Sequence, residues 1–269
     1  MSMSSAALGI DHGRLALLTR VRVPRVAETL EAMDARTTLA TAFACIGRDR
    51  LPLVTSLAPE GIVILDLLTK VIDRPRVITL DTGRLHPETH ALMDRVRDRF
   101  GVEIEAISPD PADLEPMVRE RGVNLMYRST EDRLRCCEVR KVQPLRRALV
   151  GAGGWITGLR RDQASTRRST PKIARDLANG LIWKVAPLAD WTAEQVWAYV
   201  RAHDLPYNAL HDEGYESIGC APCTRPVAPG EDERAGRWWW EEGGAGRECG
   251  LHVVPGLATP AAMPVGARA

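Results

Sequence analysis

The chain has 269 residues, of which 45% are hydrophobic, and this is enough for one sizeable α/β core with an appendage. Its 36 basic and 35 acidic side chains give a net charge of +1, which argues against a general nucleic-acid-binding surface. The first ten residues lack a secretion-signal pattern, and no apolar run is long enough to cross a bilayer. We therefore expect a cytoplasmic protein with no membrane contact, in which paired cysteines bind metal or catalyse rather than form disulfides.

Strand-like and helix-like segments alternate through the first half of the sequence. Short apolar runs are followed by stretches whose apolar side chains recur at helical spacing. The predicted elements are a helix in residues 26–45, a strand in 51–57, a helix in 62–70, a strand in 76–80, a helix in 87–100, a strand in 102–107 and a helix in 111–121. This order predicts an α/β fold with a mostly parallel sheet flanked by helices, and ligands bind such sheets at the carboxyl ends of the strands.

The second half of the sequence continues the pattern less regularly. Thr192, with Gln195 three residues later, resembles a capping box and predicts a helix that runs to about His203. The other predicted segments are an irregular polar stretch in 127–135, a helix in 138–150, a short strand in 155–158 and a strand in 181–185. Beyond Asn208, Pro, Gly and charged residues become frequent, so we expect that part to be organised by ligands or by packing against the core.

Two loops that follow predicted strands are candidates for nucleotide binding. A loop between a strand and a helix presents backbone N–H groups to an anion, and residues 56–61 and 81–83 hold such positions on neighbouring strands. Pro59 supplies no such donor, and each loop alone is also consistent with a simple connection. Four arginines after the strand in 155–158 favour phosphate binding over a solvated face: Arg160, Arg161, Arg167 and Arg168.

The cysteines form two pairs and two single residues. Cys136-Cys137 and the pair Cys220 and Cys223 together predict a four-thiolate metal or cluster site, for which zinc is an alternative to iron and sulfur. Cys45 lies among apolar neighbours and is predicted to be a core residue. Cys249 is a candidate nucleophile rather than a spare thiol, because nearby positive side chains would stabilise its thiolate: Arg234, Arg237 and His252.

Several of these stretches occur together as the motifs of one known family. The motifs are Leu80-Asp-Thr-Gly-Arg-Leu-His86, Cys136-Cys137 followed by Arg140-Lys141 and Pro144-Leu145, Trp155-Ile-Thr-Gly-Leu-Arg-Arg-Asp-Gln163, Cys220-Ala-Pro-Cys223 and Glu248-Cys-Gly-Leu-His252. From about Leu30 to His252 the chain resembles the assimilatory adenylyl-sulfate reductases, the iron–sulfur branch of the sulfonucleotide reductase family.

The resemblance implies a fold, a cofactor and a reaction. The fold would be like that of the adenine nucleotide α-hydrolases, a Rossmann-like, mostly parallel sheet flanked by helices, with a cluster-bearing C-terminal segment. The cofactor would be a [4Fe-4S] cluster. The reaction would be the thioredoxin-dependent reduction of adenylyl sulfate to sulfite and AMP in sulfate assimilation and cysteine biosynthesis, through an S-sulfonate on a cysteine. Relatives in this family are often homo-oligomers.

The resemblance also assigns roles to residues. Cys249 would be the catalytic nucleophile, and the cluster would be held by Cys136, Cys137, Cys220 and Cys223. The nucleotide would contact Ser56, Leu57, Glu60, Leu80, Asp81, Thr82, Gly83, Gly158, Arg160, Arg161, Gln163 and Arg167. The phosphosulfate would face Lys141, Arg234, Arg237 and His252.

The expected organisation is an N-terminal tail in residues 1–25, an α/β nucleotide-binding and reductase domain in 26–210, a cluster and catalytic-cysteine segment in 211–252 and a tail in 253–269. Three alternative functions remain open at this point. The chain could reduce 3′-phosphoadenylyl sulfate, alone or in addition. It could be a zinc-stabilised nucleotide-binding module, or an ATP pyrophosphatase, although the loop 56–61 lacks the paired glycines usual in that class.

Overall fold

A six-stranded sheet forms the centre of the molecule in a computed structural model that describes residues 28–241, 248 and 250–252. The predicted tails 1–25 and 253–269 and the candidate nucleophile Cys249 lie outside the described residues. The strands are β1 (Leu53–Val54), β2 (Val77–Leu80), β3 (Ile104–Ile107), β4 (Gly154–Ile156), β5 (Ile173–Asp176) and β6 (Ile182–Val185). Their spatial order is β3-β2-β1-β4-β6-β5, and all neighbours are parallel except β5 and β6.

Residues 28–31 are helical, and seven further α-helices accompany these strands in the described part of the chain. They are α1 (Ala35–Ile46), α2 (Pro59–Thr69), α3 (Pro87–Phe100), α4 (Pro111–Arg121), α5 (Thr130–Cys137), α6 (Gln143–Ala148) and α7 (Ala193–Ala202). A π-helix, Glu138–Val142, joins α5 to α6. The predicted α/β fold is confirmed, and the strand–helix alternation of the first half is present as the sequence pattern indicated.

Successive strand residues point to two different apolar cores, as the period of two in a strand requires. Leu53, Val77 and Ile156 belong to one core, together with buried residues of α1, α2, α3 and α7. Their immediate neighbours Val54, Ile78 and Trp155 belong to the other, which is covered by Leu145, Ala148 and Leu149 of α6 and its end. The sheet is therefore sandwiched between helices on both faces.

Local sequence signals account for where several helices begin. Pro87 and Pro111 occupy the first turns of α3 and α4, where a missing N–H costs nothing. The predicted capping box of α7 is confirmed, since the Thr192 side chain accepts from the Gln195 N–H and the Gln195 side chain accepts from the Thr192 N–H. These three helices start at the residues that the sequence indicated.

Three expectations were wrong. Cys45 was predicted to be a core residue, but it is exposed on α1, outside the buried face of that helix. Residues 127–135 are not irregular, because α5 begins at Thr130 with Ser129 accepting from the Asp132 N–H, and its buried polar side chains are paired through distant partners. Arg133, for example, forms an ion pair with Glu241. The strand β5 was not predicted, and it forms an antiparallel edge of the sheet.

The π-helix has an identifiable cause. Pro144 has no N–H to donate to the Arg140 carbonyl four residues earlier. The Gln143 N–H instead bonds the Glu138 carbonyl five residues back, so the turn widens. This wide turn carries Arg140 and Lys141 directly after the cysteine pair.

Beyond α7, the described chain contains only short turns and a bridge between Thr224 and Arg237. Two of these turns are the 3₁₀ segments Ala209–Glu213 and Ala221–Cys223. This agrees with the expectation that packing organises this part. Among the described residues, no helix combines the length and apolar character needed to span a bilayer.

Candidate active site

A cleft of about 220 Å³ lies where the carboxyl ends of β1, β2 and β4 meet. From β1 the chain continues to β2 on one side, whereas β4 pairs with the other side of β1. The strand order therefore reverses at β1, and ligands bind open parallel sheets at such a point. Most predicted substrate residues line this cleft: Ser56, Glu60, Leu80, Thr82, Lys141, Gly158, Arg160, Gln163, Arg167, Arg234, Arg237 and His252.

Four predicted residues do not line the cleft. Leu57 packs in the core at a φ of 60°, and Asp81 bonds the Gly83 N–H and His90 instead. Gly83 faces the Arg140 side chain instead, because a Cβ added to it would be 3.5 Å from the Arg140 guanidinium. Arg161 turns away to form an ion pair with Glu31, which ties the arginine loop to the N-terminal part of the fold.

One corner of the cleft is rich in carboxylates. The Arg160 side chain is 2% exposed, and its Nε donates to Glu60 at 2.8 Å while its other nitrogens contact Asp162 and Glu233. Gln163 donates to the same Glu60 oxygen at 2.9 Å. Burial and the charge of Glu60 raise the pKa of Glu233 to about 7. The charge of Arg160 is thus more than balanced, so this corner does not attract a further anion.

The opposite wall of the cleft is cationic. Lys141 comes from the π-helix, and Arg234 and Arg237 come from the C-terminal segment, with each arginine 8% exposed. Both guanidinium groups lie near the indole of Trp238, at 6.0 and 4.8 Å from the ring centroid. A buried cationic wall of this kind is suited to a compact anion such as phosphate or sulfate.

The residues beside Cys249 are anchored in the cleft. The Glu248 carboxylate accepts two hydrogen bonds from Arg167, at 2.7 and 2.8 Å, and lies 3.7 Å from Arg234. Burial raises the pKa of Glu248, but the hydrogen bond and charge of Arg167 outweigh it and leave the pKa lowered. Glu248 therefore remains ionised and holds the chain next to Cys249 against the arginine loop.

His252 lines the cleft, but its ring is engaged by two neighbouring side chains. Its ring stacks on Trp155 with centroids 5.9 Å apart and planes 10° apart, and its Nδ1 is 3.1 Å from the Lys184 Nζ. Burial, followed by the charge of Lys184, lowers the pKa of His252 well below its usual value. The imidazole is consequently neutral at neutral pH, so it does not add to the positive charge of the cleft.

The four predicted metal ligands line one small cavity beside the cleft. Cys136 and Cys137 end α5, and Cys220 and Cys223 flank a single 3₁₀ turn. None of these four cysteines is in a disulfide, and each is 7% exposed. Within the described ranges, no three Cys, His, Asp or Glu side chains are grouped as they would be around a single metal ion.

The thiols of this cavity differ in acidity. Burial raises the pKa of Cys220, but Lys141 and the Thr82 hydroxyl, which is 3.3 Å away, outweigh burial and lower it. Burial and then the nearby Cys220 raise the pKa of Cys223 to about 11, and burial raises the pKa of Cys136 as well. The raised pKa values of Cys136 and Cys223 mean that their thiolates need additional positive charge nearby, which a bound metal centre would provide.

The sequence patterns did not single out several side chains that shape the site. Glu248 is the first residue of the motif Glu248–His252. Its position between Arg237 and His252 was the signal that could have suggested an ion pair. Glu233 precedes Arg234 directly, but nothing local indicated that it would face Glu60. Arg133 and Lys184 have no pattern of their own.

Comparison with known proteins identifies the family. The model of the phosphoadenosine phosphosulfate reductase domain matches residues 50–226. The chain is 44% identical to an adenosine 5′-phosphosulfate reductase of Burkholderia cepacia, over 91% of this chain and 95% of the relative, and 48% identical to one of Sinorhizobium fredii, over 84% and 89%.

Among solved structures, a phosphoadenylyl-sulfate reductase from Candida auris, in a phosphate complex, superposes with a TM-score of 0.62 at 26% identity. The match covers 82% of this chain and 98% of that one. The fold, the cleft at the strand ends and these similarities lead to one conclusion: the chain belongs to the phosphoadenosine phosphosulfate reductase domain family.

Proposed function

We propose that this protein reduces adenylyl sulfate to sulfite and AMP in sulfate assimilation. The observation that carries the proposal is the convergence of three features on one cleft: a buried cationic wall, a cavity with four thiols, and the anchored flanks of Cys249. The relatives named adenosine 5′-phosphosulfate reductase, which match over most of the chain, support the same substrate.

The charges of the cleft suggest how the substrate would lie. The phosphosulfate would face Lys141, Arg234 and Arg237, because its anionic oxygens need neutralisation before a thiolate can approach. The nucleoside would extend along the strand ends, past Leu80 and Gly158. We expect Arg160 to shape this part of the cleft rather than to bind a phosphate, because its guanidinium already contacts three carboxylates.

The proposed chemistry has three steps. The Cys249 thiolate attacks the sulfur of adenylyl sulfate, the S–O bond to the phosphate breaks, and AMP leaves with that electron pair. A thiolate of a dithiol reductant, for which the family resemblance implies thioredoxin, then attacks the Cys249 sulfur and releases sulfite. The second thiol of the reductant resolves the mixed disulfide and restores the Cys249 thiolate, so the dithiol supplies the two electrons.

The donor set of the second cavity suits an iron–sulfur cluster. A [4Fe-4S] cluster takes four cysteine thiolates, one for each iron, and Cys136, Cys137, Cys220 and Cys223 line a single cavity. When bound, such a cluster would supply a compact redox-capable centre next to Lys141, which lines both cavities. Arg140 and Lys141 would offset the negative charge of the four thiolates.

The proposed ligand role of the paired cysteines supports a cytoplasmic location, because in a reducing compartment such cysteines bind metal rather than form disulfides. We propose, on the family resemblance alone, that thioredoxin is the reductant and that the protein is a homo-oligomer. The division into a reductase domain, a cluster and catalytic-cysteine segment and two tails likewise stays a proposal.

Trapping the covalent intermediate tests the proposed function. Incubation of the iron-loaded protein with adenylyl sulfate and no reductant should add one SO₃ group, about 80 Da, to Cys249, because the nucleophile of a covalent mechanism retains the transferred group. Peptide mass spectrometry locates the adduct. Cys249→Ser should abolish both the adduct and sulfite release while it keeps the visible absorbance of the cluster, since Cys249 is not one of the four proposed ligands.

A matched variant separates the two kinds of thiol. Cys223→Ser removes a proposed ligand and should bleach the absorbance first and reduce activity as a consequence. Sulfite release by Cys249→Ser, or an adduct found on Cys45, would contradict the assignment of the nucleophile.

A further inference from the structure

Arg133 forms a direct connection between the helix of the cysteine pair and the segment that carries Cys249. It lies on α5, one turn before Cys136, and its side chain is 4% exposed. Its Nε donates to the Glu241 carboxylate at 2.6 Å, and its Nη1 donates to the Glu248 carbonyl at 3.1 Å. One guanidinium thus binds the residues on both sides of the segment 242–247, Glu241 and Glu248.

The setting of this guanidinium restricts its movement. The plane is packed against Trp238, with 4.7 Å between the guanidinium carbon and the ring centroid, and the side chain also lines the four-thiol cavity. A planar, forked cation can serve two acceptors at fixed angles, which the point charge of a lysine cannot do. The two hydrogen bonds of Arg133 therefore depend on the shape of its side chain as well as on its charge.

Glu248 is held from two directions. Arg133 binds its backbone carbonyl, while Arg167 of the arginine loop binds its carboxylate through two hydrogen bonds. The next residue along the chain is Cys249, whose Cα must follow within about 3.8 Å. Fixing both the backbone and the side chain of Glu248 restricts where the following thiol can be placed.

We propose that Arg133 is a positioning residue that couples the four-thiol site to Cys249. Because Arg133 shares α5 with Cys136 and Cys137, a shift of that helix moves the anchor of Glu248 with it. An intact cysteine site thereby fixes the approach of the nucleophile to the substrate. This inference rests on the proposed function and adds a residue that the family motifs in the sequence do not include.

Three variants test the proposal in the iron-loaded, full-length protein. Arg133→Ala removes both contacts, Arg133→Lys keeps the charge but not the fork, and Arg135→Ala, on an exposed position of the same helix, is the matched control. Single-turnover formation of the Cys249 S-sulfonate, without reductant, is measured together with kcat, KM and the cluster absorbance. A misplaced reacting group commonly costs ~100-fold in rate.

We expect Arg133→Ala to slow adduct formation and kcat by ~10- to 100-fold. Its KM should change less than about threefold, because Arg133 does not line the substrate cleft. Arg133→Lys should be intermediate, and Arg135→Ala should equal wild type. If Arg133→Ala does not retain its cluster, the Arg133→Lys protein provides the same comparison.

Adduct formation at the wild-type rate in an Arg133→Lys protein with intact absorbance would overturn the coupling. A rise in KM that accounts for the whole loss of kcat/KM would overturn it as well. Failure of the proposed function gives a different result: wild type itself would then form no S-sulfonate on Cys249. The two failures are therefore distinguishable in one experiment.

Discussion

At the scale of single residues, the carboxylate-rich corner of the cleft determines a measurable property of the protein. Glu233 and Glu60 share the charge of Arg160, and burial together with Glu60 raises the pKa of Glu233 to about 7. A carboxyl group whose folded pKa is raised binds its proton more tightly in the folded state. Its contribution to stability is full below the unfolded pKa of about 4.5 and is lost as the pH rises through about 7.

Glu233→Gln should remove this pH dependence. We expect the unfolding free energy of wild type, relative to Glu233→Gln, to decline by about 1–2 kcal/mol between pH 5 and pH 8. Urea unfolding at several pH values, under conditions that keep the cluster intact, measures the difference. The matched control is Glu231→Gln, because the exposed pair with Arg225 lowers the pKa of Glu231 to about 2, outside this interval. A constant difference for both variants would contradict the prediction.

The same residues show how far a sequence can specify a site. Lys141 lies in a recognisable motif, and Arg234 and Arg237 were singled out as positive residues that precede Cys249. The structure brings all three cations to one wall of the cleft. Their carboxylate partners follow from contacts between segments far apart in the chain, such as residue 60 with residue 160. No local pattern encodes such a pairing, which is why Arg160 and Arg161 could not be told apart as an inward and an outward side chain.

At the scale of elements, the junction of β1 and α2 depends on a close approach. A Cβ on Gly61 would lie 1.9 Å from the Thr55 Oγ1, so only glycine lets the first turn of α2 pack against the end of β1. That Oγ1 also accepts from the Leu57 N–H at 2.9 Å and thereby holds the loop that lines the cleft. The glycine thus determines the shape of the loop through Thr55.

Gly61→Ala should destabilise the protein and widen this loop. Overpacking of this kind costs about 1–3 kcal/mol, and we expect a higher KM for adenylyl sulfate because the displaced loop forms part of the cleft. Thermal unfolding and steady-state kinetics provide the measurements. Thr55→Ala removes the atom that the new Cβ would strike, so the double variant should lose less stability than the two single losses added together. If the stability losses of the two single variants were strictly additive, the contact between residues 55 and 61 would not determine the conformation of the loop.

Predictability also differs between elements. The starts of α3, α4 and α7 could be predicted because proline or a capping box marks each of them. Helix α5 was missed because its polar side chains are buried through ion pairs, and a pattern of apolar residues does not register such burial. The sequence contained the cap at Ser129, but tertiary pairing decided the outcome.

At the scale of the whole molecule, the thiol cavity is part of a core of its own. Cys136, Cys220 and Cys223 pack with apolar side chains of α4, of the 3₁₀ turn that follows it, of the π-helix and of the C-terminal segment; these side chains include Met117, Leu125, Met126, Val139 and Trp238. This core is separate from the two that sandwich the sheet. A metal centre bound by all four thiols would link α5 to the C-terminal segment and would stabilise the folded state by its binding free energy.

Removal of the proposed cluster should therefore loosen the C-terminal segment before the sheet. Anaerobic treatment with an oxidant and an iron chelator is expected to bleach the visible absorbance and to lower the apparent Tm by at least ~5 °C, since a kcal/mol corresponds to a few degrees in a domain of this size. Trp238, packed beside Cys220 and Cys223, should report the change as altered near-UV circular dichroism while the far-UV spectrum of the α/β core persists.

Cys45→Ser is the control, because Cys45 is exposed on α1 and its loss should leave colour and Tm unchanged. A colourless purified protein that contains zinc, or a Tm that does not respond to iron removal, would contradict the cluster and the stabilising link that it provides between α5 and the segment of the nucleophile.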